Sequence, residues 1–127
     1  MNDANLKKLA EALLSSSPAI RYVGLLWGSG EPLLCERQGL AGASSSVSDR
    51  FEELLVNPAI IELARRRGEI DCGGLRYVIV AYGNFFQLVI PLTGGHASIA
   101  IERDASVADV LPHVSRVLSA HSFDHRT

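Results

Sequence analysis

"RYVIVAYGNFFQLVIPLTGGHASIAIE", residues 76–102, carries formal charge only at its two ends, Arg76 and Glu102. It predicts three strands joined by tight turns at "GN" and "TGG", because glycine and asparagine accept the backbone angles of short hairpin loops. The strands are expected at 75–82, 85–92 and 96–102. A sheet with one face in water alternates apolar and polar side chains, whereas here both alternating sets are apolar. We therefore expect helices to cover both faces.

Residues 3–37 predict a helix followed by a two-stranded hairpin. Apolar residues recur at helical spacing from Asp3 until "SSSP", where the proline opposes continuation. The segment 20–28 then predicts a strand with Ile20 and Val23 on opposite faces. "GSG" supplies the turn into a short second strand in "PLLCER".

A middle helix is predicted from Ser46 and Asp49, which form an S-x-x-D capping pattern. Pro58 is expected to interrupt or kink this helix, with Asn57 as the N-cap of the part that follows. "RRRG" at 65–68 is expected to end it, since basic residues suit a last turn and glycine suits the position beyond. The three arginines therefore have two interpretations, helix-end electrostatics or an anionic contact on a partner.

A last helix is predicted after "RDAS", where Ser106 and Asp109 repeat the capping pattern. With Asp109 as the N-cap, Pro112 would fall in the first turn, where its missing N–H costs nothing. Residues 1–120 are expected to form one domain, because a chain of this length fits one hydrophobic core. Residues 121–127 are expected to form a polar tail.

Composition excludes several classes of protein. The chain has 127 residues, a hydrophobic fraction of 47% and a formal net charge of −2, so no nucleic-acid partner is expected. No run approaches the ~20 apolar residues of a membrane span, and the N-terminus lacks the order of a secretory signal. Cys35 and Cys72 stand far apart and predict free thiols, which fits a cytoplasmic location.

Motifs of catalysis and metal binding are missing from the sequence. It contains no G-x-S-x-G or H-E-x-x-H pattern, and the small-residue loop 38–48 lacks the lysine of a phosphate cradle. "HSFDH" at the end is interpreted as a frayed terminus rather than a metal site. A thiol site built from Asp71, Cys72 and His96 is conceivable but disfavoured. We therefore predict no catalytic residue, metal or cofactor, and no enzyme.

Three features suggest a family. They are the entry S-P-x-I-x-x-V at 17–23, the hairpin that ends in "GL" at 39–40, and the closing strand and helix "ASIAIERDASVADVLPHVSRVL". With the order helix, two strands, helix, three strands, helix, the chain resembles the roadblock/dynein light chain family. The resemblance implies an α+β, three-layer α/β/α (profilin-like) fold. Its five-stranded antiparallel sheet would carry the middle helix on one face and the terminal helices on the other.

The resemblance also implies a dimeric, non-catalytic scaffold that regulates a partner such as a small GTPase. The dimer, with itself or with a related chain, would form through the middle helix and the strand after it. By position, that surface would comprise Phe51, Leu54, Leu55, Ile61, Leu75, Arg76, Tyr77, Val78, Ile79 and Val80. Arg65, Arg66 and Arg67 would contact the partner.

A second hypothesis remains open at this point. A sensor domain of the PAS or GAF kind would hold a small ligand between sheet and helix, with polar groups converging on a cavity. Tyr22, Tyr77 and Gln87 are the candidates, although a tyrosine on a strand more often packs with its hydroxyl at the rim.

Overall fold

A computed structural model of the chain describes residues 3–28, 30–37 and 46–121. The helices are α1 (Asp3–Ser15), α2 (Ser46–Phe51), α3 (Asn57–Asp71) and α4 (Val107–Ala120), and a π-helical turn (Glu52–Val56) joins α2 to α3. The strands are β1 (Ile20–Trp27), β2 (Leu33–Glu36), β3 (Val78–Ala81), β4 (Phe85–Leu92) and β5 (Gly95–Glu102). The expected order of elements is therefore present.

The five strands form one antiparallel sheet in the spatial order β2-β1-β5-β4-β3. The β4–β5 hairpin pairs along its full length, from Phe85 opposite Glu102 to Leu92 opposite Gly95. β2 and β3 lie at the two edges and have four residues each. The predicted α+β fold with a five-stranded antiparallel sheet is confirmed.

One face of the sheet packs against α1 and α4, which supply the main apolar core. The buried side chains from the two helices and from β1, β4 and β5 include Leu9, Leu13, Val23, Leu88, Ile90, Ile99, Val114 and Leu118. The other face lies beneath the middle helix, defined here as residues 46–71, which reaches β1 and β4. Helices therefore cover both faces of the sheet, as expected.

Ile20 shares this core with Val23, so the prediction that the two face opposite ways was wrong. The pairing of β1 with β5 shifts its register between Ile20 and Tyr22. Such an irregularity adds a residue to one strand and reverses the alternation that follows it.

The middle helix does not break at Pro58. Asn57 has helical backbone angles, and its N–H donates to the carbonyl of Glu52, five residues earlier. The N-cap prediction for Asn57 was therefore wrong. Proline lacks an N–H, and in a regular α-helix its ring crowds the carbonyl four residues back. The wider π turn just before Pro58 accommodates both effects within a continuous helix.

The end of the middle helix also differs from the prediction. α3 continues past "RRRG" to Asp71, and Gly68 is buried inside it. A Cβ on Gly68 would lie only 2.8 Å from the carbonyl oxygen of Gly74, so this glycine allows the following loop to fold back against the helix. Arg65, Arg66 and Arg67 are therefore not in a last turn.

α4 starts three residues earlier than expected. Ser106, not Asp109, is the N-cap, and its hydroxyl accepts from the Asp109 N–H at 3.4 Å. Pro112 consequently lies inside the helix, on its exposed side. His121 closes the helix through its backbone N–H and a ring nitrogen. The rest of the predicted tail, 122–127, lies outside the described residues.

Candidate functional site

The predicted interface strand is shorter than expected. β3 spans Val78–Ala81, so the prediction of a strand over 75–82 was wrong at both ends. Leu75, Arg76 and Tyr77 precede the strand, and Tyr82 follows it. Val78 pairs with Val89. By that register Arg76 would lie opposite Pro91, which has no N–H with which to extend the ladder. Tyr77 packs against the α1–α4 core instead.

β3 is nevertheless an edge strand that presents apolar side chains. Ile79 is exposed, while Val78 and Val80 are half-buried. An edge strand has a row of backbone N–H and C=O groups on its outer side, which is a template for pairing with another strand. This part of the predicted surface therefore has the geometry for strand pairing.

The middle helix carries large apolar side chains on its outer face. These side chains, called the apolar stripe below, are Val47, Phe51, Leu55, Leu63 and Ile70. Phe51 is 57% exposed, Leu63 71% and Ile70 75%. Of the predicted helix residues, Phe51 and Leu55 belong to the stripe, whereas Leu54 and Ile61 are half-buried. Val47, Leu63 and Ile70 were not predicted.

Arg65, Arg66 and Arg67 do not form one patch. Each pairs with an acidic residue one turn away on the same helix, at N–O distances of 2.6–2.8 Å. At about 100° per residue, Arg66 and Arg67 lie on either side of Leu63, roughly 40–60° away, whereas Arg65 lies about 160° away. Arg66 and Arg67 therefore border the apolar stripe, and Arg65 does not.

A buried carboxylate, Glu53, joins the π turn to the sheet and was not predicted. It is 0% exposed. Its Oε2 accepts from the hydroxyls of Tyr22 (2.9 Å) and Ser98 (2.5 Å). Its Oε1 lies 2.7 Å from Nε2 of His96 and accepts from the Asn57 amide at 3.2 Å. Burying a carboxylate is costly unless hydrogen bonds satisfy it, and these four partners provide them.

Gly24 makes room for this carboxylate. It lies in β1, opposite Ser98 of β5. A Cβ on Gly24 would be 2.6 Å from Oε2 of Glu53 and 2.7 Å from the Tyr22 hydroxyl oxygen. A glycine inside a predicted strand, together with Ser98 and His96 in an otherwise apolar one, was the signal in the sequence for this polar cluster.

A second contact ties the π turn to β3. The hydroxyl of Tyr82, just beyond β3, donates to both carboxylate oxygens of Glu52 at 2.9 and 3.2 Å. Burial and this hydrogen bond raise the pKa of Tyr82 to about 12, while burial raises the pKa of Glu52. Burial, with the Glu53 carboxylate nearby, also raises the pKa of Tyr22, so its hydroxyl remains a donor. The middle helix is thus anchored through adjacent glutamates.

The residues of the ligand-sensor hypothesis do not converge. Tyr22 and Gln87 are buried on the face beneath the middle helix, and both lie opposite Ala100 of β5. Tyr77 packs with the core on the other face. The Tyr22 hydroxyl is engaged by Glu53 rather than directed at a cavity.

The conceivable thiol site is not assembled. Cys72 is exposed at the end of α3 and contacts Arg67 and Asp71, whereas His96 is buried against Glu53. Both cysteines are free thiols, as predicted. Within the described ranges no group of three or more His, Cys, Asp or Glu side chains is arranged to hold a metal ion. No helix among the described residues has both the length and the apolarity to cross a bilayer.

Comparison with known proteins identifies the fold. No protein-family model matches the sequence, and no curated protein matches it. A Roadblock/LC7 domain from Streptomyces avermitilis is similar over 89% of this chain and 91% of its own, with a TM-score of 0.64 and 19% identity. MglB in a tetrameric arrangement is similar over 96% and 90%, with a TM-score of 0.73 and 12% identity.

A gliding protein, MglB from Thermus thermophilus, is similar over 94% of this chain and 87% of its own. Its TM-score is 0.69 and its identity 16%. The three likenesses cover nearly the whole chain in both directions. The roadblock fold expected from the order of elements is confirmed.

Proposed function

We propose that this chain, which has the Roadblock/LC7 fold, is a non-catalytic interaction module of the cytoplasm. It would act as a dimer, with itself or with a related chain, and would regulate a partner protein such as a small GTPase. The proposed dimer surface combines the apolar stripe with the outer edge of β3. The predicted helix residues Leu54 and Ile61 would lie at the margin of this surface. Leu75, Arg76 and Tyr77, which precede β3, would lie beside its strand edge.

The observation that carries the proposal is that two exposed features, the apolar stripe and the outer edge of β3, are joined by a side-chain hydrogen bond. Five large apolar side chains line the outer face of the middle helix, and β3 offers a strand edge. Ile79 is exposed on the opposite face of the sheet, because it pairs with Leu88 of the α1–α4 core. The Tyr82–Glu52 hydrogen bond holds the two elements together. Extended exposed apolar surfaces are uncommon on monomers and mark interaction sites. Burial of this surface by a second copy would remove both the apolar area and the open edge from water.

Charge along the middle helix favours a second copy as the occupant. Apart from Glu53, which is buried against the sheet, residues 46–62 contain three acids (Asp49, Glu52 and Glu62) and one arginine (Arg50), for a net charge of −2. Residues 63–71 contain three arginines and two acids, for a net charge of +1. Two-fold symmetry can place two such helices antiparallel, so that the acidic half of each faces the basic half of the other. Exposed ion pairs contribute less than about 1 kcal/mol, so they set orientation more than affinity.

The MglB likeness supports assembly as the function, since one of its structures shows a tetrameric arrangement. A small GTPase as the regulated partner follows from the family resemblance and is part of the proposal. Arg66 and Arg67, exposed beside the stripe, would attract an acidic partner to the dimer. Such charges act mainly on the rate of association.

Substituting one stripe residue tests the proposal. Leu63→Glu places a charge in the centre of the proposed interface but touches no core side chain, because Leu63 is largely exposed. Ala108→Glu, on the exposed face of α4, is the matched control. We expect Leu63→Glu to be a folded monomer by light scattering and Ala108→Glu to assemble like the parent. Equal assembly of the two variants would place the interface elsewhere.

A further inference from the structure

We infer that the π turn aligns the apolar stripe, and that Glu53 and Pro58 are the positioning residues that hold this turn. The inference rests on the proposed function, because it concerns how the same surface is built. The interface residues themselves are exposed, whereas Glu53 is completely buried and would act on the interface only through the backbone.

The alignment follows from helical geometry. In an uninterrupted α-helix, at about 100° per residue, Leu63 and Ile70 would lie roughly 140–160° around the axis from Val47. They would then be on a different face from Val47 and Phe51. The π turn contains one extra residue, which sets everything after it back by about 100°. Leu63 and Ile70 therefore lie roughly 40–60° from Val47, on the same face as Phe51.

Two independent features hold the turn in place. On the sheet side, Glu53 is fixed by hydrogen bonds from β1 and β5, through Tyr22, Ser98 and His96. On the helix side, Pro58 cannot donate to the carbonyl four residues before it, which removes one bond that would favour a regular α-helix. Asn57 links the two, since its backbone N–H makes the five-residue bond and its side chain donates to Glu53.

The first part of the middle helix needs the Glu53 anchor if the apolar stripe is to stay on one face. None of the described side chains of α2, which precedes the π turn, is fully buried, so Glu53 of the turn is the first buried anchor along the middle helix. Without that anchor, residues 46–52 would keep exposed contacts, such as those of Arg50 with Glu31 and of Glu52 with Tyr82, and they could rotate about the helix axis relative to α3. The stripe would then divide into two short patches on different faces.

The first experiment removes both holds together. In Glu53→Ala/Pro58→Ala, we expect the turn to relax to a regular α-helix and the dimer dissociation constant to rise at least about tenfold, as when a large apolar side chain leaves an interface. Pro58→Ala alone keeps the Glu53 hydrogen bonds and should remain dimeric. Circular dichroism establishes that each variant is folded. If the alanine at 53 prevents folding, Glu53→Gln takes its place because it preserves the side-chain volume.

The second experiment restores alignment without restoring the polar cluster. Deleting Val56 from Glu53→Ala/Pro58→Ala removes the extra residue, so a regular α-helix again places both halves of the stripe on one face. We expect this deletion to recover the dimer. A purely structural role for Glu53 predicts the opposite, because a third change in a damaged helix would weaken the protein further. A folded deletion variant that stays monomeric would overturn the inference.

The third readout does not depend on assembly. The scalar coupling through the hydrogen bond from the Asn57 nitrogen to the Glu52 carbonyl carbon, measured by NMR, reports the π turn directly. We expect it in the parent and its loss in Glu53→Ala/Pro58→Ala. If the coupling persists in that variant, Glu53 and Pro58 do not hold the turn. The parent could prove monomeric and still show the coupling, with the coupling lost in the double variant. That result would refute the proposed function, but Glu53 and Pro58 would still be the residues that hold the π turn.

Discussion

Replacing Gly24 with alanine should destabilise the protein through the Glu53 carboxylate. The added Cβ would lie 2.6 Å from Oε2 of Glu53 and 2.7 Å from the Tyr22 hydroxyl oxygen, closer than such atoms normally approach. Gly24 has no positive φ, so the effect is steric contact rather than backbone strain. Overpacking of a filled interior typically costs about 1–3 kcal/mol of unfolding free energy.

Glu53→Ala should cost more. It leaves four buried groups, on Tyr22, Asn57, His96 and Ser98, without their acceptor. Each buried donor left unsatisfied costs about 1–3 kcal/mol, so after partial relaxation of the site we expect a loss of about 3–5 kcal/mol. At this chain length, such a loss corresponds to a fall in Tm of roughly 10–20 °C. When Glu53→Ala is combined with Gly24→Ala, the two losses of unfolding free energy should be less than additive, because the Cβ added at position 24 then has no carboxylate to contact. We expect the double variant to be at least about 1 kcal/mol more stable than the sum of the single effects predicts.

The assay is urea unfolding followed by circular dichroism at one fixed protein concentration, since dimerisation would couple to unfolding. Gly83→Ala is the control, because its Cβ would meet nothing within 4 Å. Its unfolding free energy should stay within about 0.5 kcal/mol of the parent. Strictly additive effects of Gly24→Ala and Glu53→Ala, or a neutral Gly24→Ala, would refute the packing of Glu53 against β1.

Three further predictions concern β3, Tyr82 and the arginines. Backbone N–H groups alternate sides along a strand, so of Val78 and Ile79 one donates within the sheet and the other points outward from the edge. Of the variants Val78→Pro and Ile79→Pro, the one that removes the outward N–H should abolish dimerisation with the smaller loss of stability of the two. Sedimentation of both variants checks this, and β3 is not part of the interface if both remain dimers. With the pKa of Tyr82 raised to about 12, its hydroxyl contributes stability that is complete below pH 10 and declines as the pH rises through about 12. The stability advantage of the parent over Tyr82→Phe in urea unfolding should therefore shrink across that range, and a constant difference would contradict it. Arg66→Glu/Arg67→Glu should slow the association of an acidic small GTPase and reduce its salt dependence. Unchanged rates would leave these arginines only their pairs within the helix.

Much of the fold could be predicted because its signals are local. The apolar spacing of α1 and the strand pattern of β4 and β5 each depend on a few neighbouring residues. Errors arose where one residue type serves two purposes. Gly68 has the sequence appearance of a helix end, but it is a contact point for Gly74. Asn57 before Pro58 has the appearance of an N-cap, but its side chain donates to Glu53.

The polar cluster was not predicted, because its members come from three separate parts of the chain, namely β1, the middle helix and β5. Glu53 stands in a pattern typical of an exposed helix, and only the register of β1 and β5 brings Tyr22, Ser98 and His96 to it. The π turn depends on the same contacts and was not predicted either. With the period of a regular α-helix, Leu63 and Ile70 do not fall on the same face as Phe51, so they were not predicted to belong to the interface. The proposed interface was thus anticipated at β3 and at the start of the middle helix, but not along its second half.

Sedimentation equilibrium of the parent beside Leu63→Glu tests the central proposal most directly. At tens of micromolar, roughly the range in which an interface of ordinary size is saturated, the parent should have twice the mass of one chain. Leu63→Glu should have the mass of one chain with an unchanged circular dichroism spectrum. A parent that remains monomeric at these concentrations, or a Leu63→Glu variant that dimerises as the parent does, would contradict assembly through the middle helix and β3.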